Sequence, residues 1–153
     1  MTHVFNEISI NRGNADVMCR LDVYINDTLL TIVQGDGLLI STPTGSTAYN
    51  LSCGGSIIHP TADVVALTPI CPHSLSFRPI ILNKSATITI VLPEEARTGA
   101  WVTFDGQDRW RMERNERLVI KESSHCVPFV AWQDLSEDTA WVNNMTKNLQ
   151  WNN

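Results

Sequence analysis

Apolar and polar positions of this chain alternate in many short runs, which is the pattern of β-strands. Residues 17–25 (VMCRLDVYI) end in alternating apolar positions, Asn26 and Asp27 follow, and residues 29–33 (LLTIV) continue the pattern. This stretch predicts a β-hairpin with an Asn-Asp turn. Further strands are predicted at residues 38–40, 80–82, 86–92, 100–104, 117–121 and 127–132. Because no run of helical periodicity, about 10 to 15 residues long, alternates with them, a β-sandwich or layered β fold is favoured over a doubly wound parallel sheet.

Two segments predict helix. Residues 44–54 follow a proline with small residues, and Trp141, Met145 and Leu149 recur at a spacing of four, which places them on one helical face. We therefore expect a β domain over residues 1–135 and a C-terminal tail with a short helix over residues 136–153.

Composition excludes several classes of protein. A chain of 153 residues with 43% hydrophobic content can bury one core, so one domain is the default. Its 11 basic and 16 acidic residues give a net charge of -5, which favours neither nucleic acid nor anionic membrane as a partner. Apolar runs are far shorter than the roughly 20 residues that span a bilayer. We expect a cytoplasmic protein whose scattered cysteines are reduced thiols rather than metal ligands.

Residues 35–60 carry the densest candidate chemistry. Five hydroxyl side chains fall within seven residues, and Gly45 lets the backbone approach a ligand closely; the hydroxyls are Ser41, Thr42, Thr44, Ser46 and Thr47. A hydroxyl-rich turn that runs into a helix suits an anionic or sugar-bearing ligand. The same residues also suit simple helix capping and turn formation, and periodicity does not separate the two interpretations.

Four motifs, in order and spacing, resemble the signature of the NAD kinases. They are Asn6-Glu7, Gly35-Asp36-Gly37, STPTGSTAY at residues 41–49 and TPICPH at residues 68–73. The resemblance extends through SLSFRP at residues 74–79 and TFDGQ at residues 103–107. The SFRP sequence is similar to that of eukaryotic members in particular. The resemblance covers about residues 6–130. It implies an all-β, β-sandwich-like NAD kinase C-terminal domain that binds NAD and associates with copies of itself as a homo-oligomer.

The resemblance also implies a reaction. A complete NAD kinase transfers the γ-phosphoryl of ATP, with a divalent metal such as Mg, to the adenosine 2'-hydroxyl of NAD, which gives NADP. The family's Gly-Gly-Asp-Gly loop, with the proposed catalytic Asp, belongs to an N-terminal domain, and this sequence contains no such tetrapeptide. We expect the chain to carry NAD binding and oligomerisation, to lack the N-terminal kinase domain as a partner, and to be inactive alone. A non-catalytic NAD(P)-binding module and the C-terminal domain of a related lipid kinase are the alternatives.

Site residues follow from the resemblance, motif by motif. Asn6 and Glu7 match the pair beside the adenosine ribose, and residues 47–49 (Thr47, Ala48 and Tyr49) match the segment that recognises the base. Asp36 matches a residue that reaches the nicotinamide end of NAD from a neighbouring subunit. Further binding positions are Thr44, Ser52, Cys71 through its backbone, and His73. Each has a structural alternative, such as a turn for Asp36 or a core aromatic for Tyr49. No catalytic residue and no metal ligand are predicted.

Overall fold

The computed structural model describes residues 1–128 and 136–152. Within them, nine β-strands form one sheet in which every pairing is antiparallel. The strands are β1 (Glu7–Asn11), β2 (Cys19–Ile25), β3 (Thr28–Ser41), β4 (Val64–Pro72), β5 (Ile80–Asn83), β6 (Ile88–Val91), β7 (Ala100–Phe104), β8 (Arg109–Met112) and β9 (Arg117–Ile120). A 3₁₀ turn (Thr44–Thr47), helix α1 (Tyr49–Ser52) and helix α2 (Glu137–Lys147) complete the described chain.

Strand β3 organises the sheet. The main path runs β8-β7-β1-β3-β2-β6-β9, while β4 joins β3 to β5. The first half of β3 pairs with β2, from Thr28 to Gly35. Its second half pairs with β1 and also with β4. The end of β3 is therefore flanked on both edges, and the loop that leaves it at Ser41 starts from a fixed position.

Inward-facing residues of these strands form one hydrophobic core. Leu21, Val23, Leu38, Ile90 and Val102 are fully buried, and they come from strands β2, β3, β6 and β7. Alternation of buried and half-exposed residues in β2 follows the period of two expected for a strand with one buried face. The all-β fold class predicted from the sequence is confirmed.

The predicted hairpin is confirmed as β2 and β3. Asn26 and Asp27 both take positive φ, 48° and 64°, as a two-residue turn between twisted strands requires. The remaining predicted strands correspond to the end of β3 and to β5, β6, β7 and β9. Strand 127–132 lies outside the described residues, apart from Val127 and Pro128. Strands β1, β4 and β8 were not predicted, because β1 and β8 are only five and four residues long and β4 contains prolines.

The helix predictions hold in part. The continuous helix over residues 44–54 is wrong, because Ala48, with φ -97° and ψ -128°, separates the 3₁₀ turn from α1. The C-terminal helix is present as α2, and the Ser136 hydroxyl caps it by accepting a hydrogen bond from the Thr139 N–H. Leu149 lies beyond its last residue. Among the described helices, none has the length and apolar character needed to cross a bilayer.

Candidate functional site

Asn6 and Glu7 lie where the chain enters β1. Glu7 pairs with Ser41 across the β1–β3 ladder, which brings the Asn-Glu motif to the start of the hydroxyl-rich loop. The Asp105 carboxylate, in the turn after β7, accepts hydrogen bonds from the backbone N–H groups of Asn6 at 2.7 Å and Glu7 at 3.0 Å. Two sequence motifs 99 residues apart thus share one hydrogen-bonded junction.

The Glu7 side chain is buried and incompletely satisfied. Glu7 is 8% exposed, and its Oε2 atom has no hydrogen-bond partner among the described residues. Burial raises the pKa of the Glu7 carboxyl, the charge of Asp105 raises it further, and the backbone N–H of Tyr49 acts in the opposite direction. The Ser41 hydroxyl opposite is also buried without a described partner. Two polar atoms therefore remain unpaired in one cross-strand pair.

The loop after β3 packs tightly on Asn6. A Cβ on Gly45 would overlap the Asn6 carbonyl group, so no larger residue fits there without a backbone shift. The Thr42 and Thr44 hydroxyls both donate to the Phe5 carbonyl, at 2.6 Å and 3.0 Å. These hydroxyls, which the sequence pattern groups as ligand candidates, are engaged in holding the Asn-Glu segment against the loop.

A second set of buried polar groups supports the loop from beneath. The Ser46 hydroxyl accepts from the Ile58 N–H at 2.9 Å. The Asn50 amide donates to the carbonyls of Ser46 and Ser56 and accepts from the Thr68 hydroxyl at 2.6 Å. Since Ser46, Asn50 and Thr68 are fully buried, these contacts belong to the protein framework.

Tyr49 gathers several predicted site residues around its ring. Tyr49 is 42% exposed at the start of α1. Burial raises the pKa of the Tyr49 phenol, and negative charge at Cys53, Cys71, Asp36 and Glu7 raises it further. The structure therefore brings Glu7, Asp36, Tyr49 and Cys71, which are distant in sequence, into one electrostatic neighbourhood.

Asp36 and Cys71 face each other across the β3–β4 ladder. Gly35 pairs with Pro72 and Gly37 with Ile70, so Asp36 and Cys71 are the residues between. Cys71 has a positive φ of 43° and an exposed side chain. The Asp36 carboxylate is bound by Arg12 at 2.7 Å, in an ion pair within this chain.

The remaining predicted residues lie apart from this neighbourhood or serve the loop itself. The Thr47 hydroxyl donates back to the Thr44 carbonyl at 3.3 Å. Ser52 is exposed at the end of α1, and its hydroxyl makes no hydrogen bond to the described residues. His73 is exposed and lines a separate surface groove with Gln34, Phe77 and Arg78.

Comparison with known proteins identifies the family to which this fold and these motifs belong. A family model described as the ATP-NAD kinase C-terminal domain matches residues 5–132. The chain belongs to this family. It is 47% identical over 150 residues to ATP-NADH kinase YEF1 of Saccharomyces cerevisiae, covering 98% of this chain and 30% of the relative. It is 44% identical to NAD kinase 2, chloroplastic, of Arabidopsis thaliana, covering 97% of this chain and 15% of the relative.

Two solved structures share the fold of this chain. A crystal structure of yeast NADH kinase complexed with NADH has a TM-score of 0.86 and 34% sequence identity, and the match covers 99% of this chain and 43% of the yeast chain. An NAD kinase from Archaeoglobus fulgidus in complex with ATP shares the fold, with a TM-score of 0.69 at 23% identity, over 79% of this chain and 46% of the archaeal one. The chain thus spans less than a third of the length of the first curated relatives it matches.

Two residues of this NAD kinase C-terminal domain make contacts that were not predicted from the sequence. Asp105 holds the Asn-Glu segment, and Arg12 binds Asp36. The sequence signal for Asp105 was its place in the FDGQ turn. In the structure, Asp105 and Gly106 of this turn both take positive φ. Within residues 1–128 and 136–152, no three His, Cys, Asp or Glu side chains cluster as a metal site.

Proposed function

We propose that this chain is the NAD-binding part of an NAD kinase. The adenosine ribose lies on Asn6 and Glu7, and the adenine ring lies against residues 47–49. The nicotinamide end extends towards Asp36 and the Cys71 backbone. Thr44 and Ser52 border the base. His73, which lines a neighbouring surface groove, lies at the edge of the NAD site. The division into a binding domain at 1–135 and a tail at 136–153 belongs to this proposal.

One observation carries it: a buried carboxylate oxygen of Glu7 that has no described partner. An unpaired buried acceptor is costly, about 1–3 kcal/mol, unless a donor arrives. A ribose diol supplies hydroxyl donors, and the neighbouring Asn6 amide, which also makes no side-chain hydrogen bond to the described residues, supplies both a donor and an acceptor. Tyr49, which is 42% exposed and lies near Glu7, offers an aromatic face of the size a purine needs.

For the complete enzyme we propose transfer of the ATP γ-phosphoryl to the adenosine 2'-hydroxyl of NAD. Reactions of this type depend on positioning the acceptor and neutralising charge. The Glu7 and Asn6 side chains position the acceptor by fixing the ribose. A divalent metal such as Mg enters in this proposal as a complex with the ATP substrate. The phosphate-binding loop belongs to a further, N-terminal kinase domain.

A homo-oligomer is part of the same proposal. Leu29, Leu30 and Ile32 of β3 are exposed, at 49%, 43% and 42%, and an exposed apolar stretch of this kind is typical of a surface that another chain covers. Light scattering at tens of micromolar protein tests it: we expect a mass of at least two chains, and a strictly monomeric mass contradicts it.

We also propose a reducing, cytoplasmic location. All four cysteines lie in the described part of the chain and are free thiols. Localisation of a fluorescently tagged protein tests this, and accumulation in an organelle contradicts it.

NAD binding by the full 153-residue chain tests the proposal. Ligand-observed NMR is expected to give a dissociation constant on the order of 1 mM for NAD. Tyr49→Ala and Asn6→Ala each weaken binding several-fold, as expected for losing a ring contact or a hydrogen bond of about 1 kcal/mol. Trp110→Ala and Asn14→Ala are the matched controls, since both residues are exposed and lie outside the proposed site. If the site variants bind NAD as well as the controls, the residues do not form the site.

A further inference from the structure

The Asp105 carboxylate is occupied by three consecutive backbone donors. Its Oδ2 atom accepts from the Phe5 N–H at 2.7 Å, and its Oδ1 atom accepts from Asn6 at 2.7 Å and Glu7 at 3.0 Å. The Asp105 N–H in turn donates to the Glu7 carbonyl at 3.0 Å. Hydrogen bonds to a carboxylate are among the stronger ones in proteins. One side chain therefore fixes the backbone through the whole Asn-Glu motif.

The turn that holds Asp105 is built for this contact. Asp105 has a φ of 49° and Gly106 a φ of 69°, a left-handed pair that closes the link between β7 and β8. Asp tolerates this conformation better than most residues, and its short side chain then reaches the neighbouring backbone. A Cβ on Gly106 meets nothing within 4 Å, so conformation rather than crowding requires glycine there.

The opposite side of the same segment is held by the loop after β3. The Thr42 N–H donates to the Asn6 carbonyl at 2.9 Å, and the Thr42 hydroxyl donates to the Phe5 carbonyl. The backbone N–H groups of Phe5, Asn6 and Glu7 thus bind the Asp105 carboxylate, and the carbonyls of Phe5 and Asn6 bind Thr42. The side chains of Asn6 and Glu7 are the parts of the motif left for another partner.

We propose that Asp105 is a positioning residue: it aligns the Asn6 and Glu7 side chains for the vicinal hydroxyls of the adenosine ribose. This inference rests on the proposed function. Asp105 acts through the backbone it holds and not by touching the ligand, since both of its oxygens already accept hydrogen bonds. The negative charge of Asp105 also lies close enough to Glu7 to raise the pKa of the Glu7 carboxyl, whereas the hydrogen bond from the Tyr49 N–H lowers it.

Asp105→Asn in the full 153-residue chain tests this role. The amide keeps one acceptor oxygen but turns an NH₂ group towards a backbone N–H, so at least one contact is lost. AMP and 2'-deoxy-AMP are the probes, compared by ligand-observed NMR, with NAD alongside. We expect the unsubstituted chain to prefer AMP by about fivefold, the equivalent of one hydrogen bond. In Asp105→Asn this ratio falls to about one, whereas binding of 2'-deoxy-AMP hardly changes.

Asp108→Asn is the matched control, because Asp108 is an exposed carboxylate in the same turn and only its backbone carbonyl has a described partner. It should keep the full preference for AMP. In a double variant, Asp105→Asn with Glu7→Gln, the loss of AMP preference should be smaller than the sum of the two single effects, because part of the Asp105 effect acts through Glu7.

The outcomes separate the two hypotheses. If the unsubstituted chain binds neither NAD nor AMP, the proposed function fails. If it binds and Asp105→Asn keeps the AMP preference, or loses both nucleotides equally, the positioning role is overturned. Should Asp105→Asn fail to fold, Thr42→Val decides, since it loosens the same segment from its other side. It should also bring the ratio towards one, and an unchanged ratio overturns the inference.

Discussion

The Ser46 hydroxyl binds both the backbone N–H and the backbone carbonyl of Ile58. The Ile58 N–H donates to Ser46 Oγ at 2.9 Å, and Oγ donates to the Ile58 carbonyl at 3.3 Å. Ser46 is fully buried, and Ile58 is 9% exposed. This contact ties the hydroxyl-rich loop to the segment leading to β4, so the loop that precedes Tyr49 has a fixed base.

Ser46→Ala should therefore lower the free energy of unfolding. It leaves the Ile58 N–H and carbonyl without their partner in a buried position, which costs about 1–3 kcal/mol. Urea unfolding followed by tryptophan fluorescence measures the change. Ser52→Ala is the control, since Ser52 is exposed on the next turn, and it should change stability by less than about 0.5 kcal/mol. Equal effects of the two substitutions contradict the assignment of Ser46 as framework.

Gly45→Ala should abolish NAD binding by displacing Asn6. The added Cβ would overlap the Asn6 carbonyl group, so the backbone of one segment must move. The matched variant is Gly54→Ala, where nothing lies within 4 Å of the new Cβ. Its φ of 78° costs roughly 1 kcal/mol of stability and leaves NAD binding intact. NMR titration and thermal melts of both variants check this; NAD binding retained by Gly45→Ala would show that the segment adapts.

Glu7→Gln should stabilise the domain at neutral pH while weakening NAD binding. Burial, followed by the charge of Asp105, raises the pKa of Glu7 above its ordinary 4.5. The folded state therefore holds its proton more tightly than the unfolded state. The contribution of Glu7 to the free energy of unfolding is fully present below pH 4.5. It is lost as the pH rises through the raised pKa, because ionised Glu7 is disfavoured in the fold. A neutral glutamine escapes this penalty.

Thermal melts from about pH 4 to about pH 8, on either side of the titration, provide the measurement. The melting temperature of Glu7→Gln should exceed that of the unsubstituted chain at neutral pH, and the gap should shrink on acidification towards 4.5. A gap independent of pH would mean that the ionisation of Glu7 has no part in it.

Trp141→Ala should release helix α2 from the domain. The Trp141 ring meets His59 edge-on, with centroids 4.9 Å apart, and Asp138 of the same helix lies 3.3 Å from His59 Nε2. Hydrogen exchange of amides 140–147 should speed up roughly tenfold or more while the sheet amides keep their protection. Val142→Ala changes an exposed residue of α2 and should leave exchange rates unaltered. Protection that survives Trp141→Ala would place the anchoring of α2 elsewhere.

The 153-residue chain alone should form no NADP from NAD, ATP and Mg. Its sequence lacks the Gly-Gly-Asp-Gly loop that the proposed reaction requires. A coupled dehydrogenase assay that reports NADP is sensitive enough, with a no-protein reaction as the control. NADP formation above that control contradicts the proposal that this chain binds NAD while a further domain supplies the phosphate-binding loop.

Local sequence determined the features whose physical cause is local. Alternating residues in β2 and the Asn26-Asp27 turn predicted the hairpin, because strand period and turn conformation depend on neighbouring residues. Helix α2 followed from the spacing of Trp141 and Met145 in the same way. The motifs at residues 6–7 and 41–49 indicated the family through residue identity and order alone.

Weak or interrupted patterns hid other elements. β1 has only five residues, three of them polar, and is held by pairing with both β3 and β7. β4 contains Pro69, which sequence reasoning takes as a strand breaker. It forms because β3 and β5 supply a ladder on either side.

Only the tertiary structure decided which polar residues of the motif are bound within the framework. Ser46 and Thr42 resemble ligand contacts in a one-dimensional motif, yet their hydroxyls bind Ile58 and Phe5. Asp105 meets Asn6 across 99 residues of chain, a contact that no local pattern encodes. A hydroxyl or carboxylate takes whichever partner the fold brings within about 3 Å, and that partner depends on sheet register, which the whole sequence sets together.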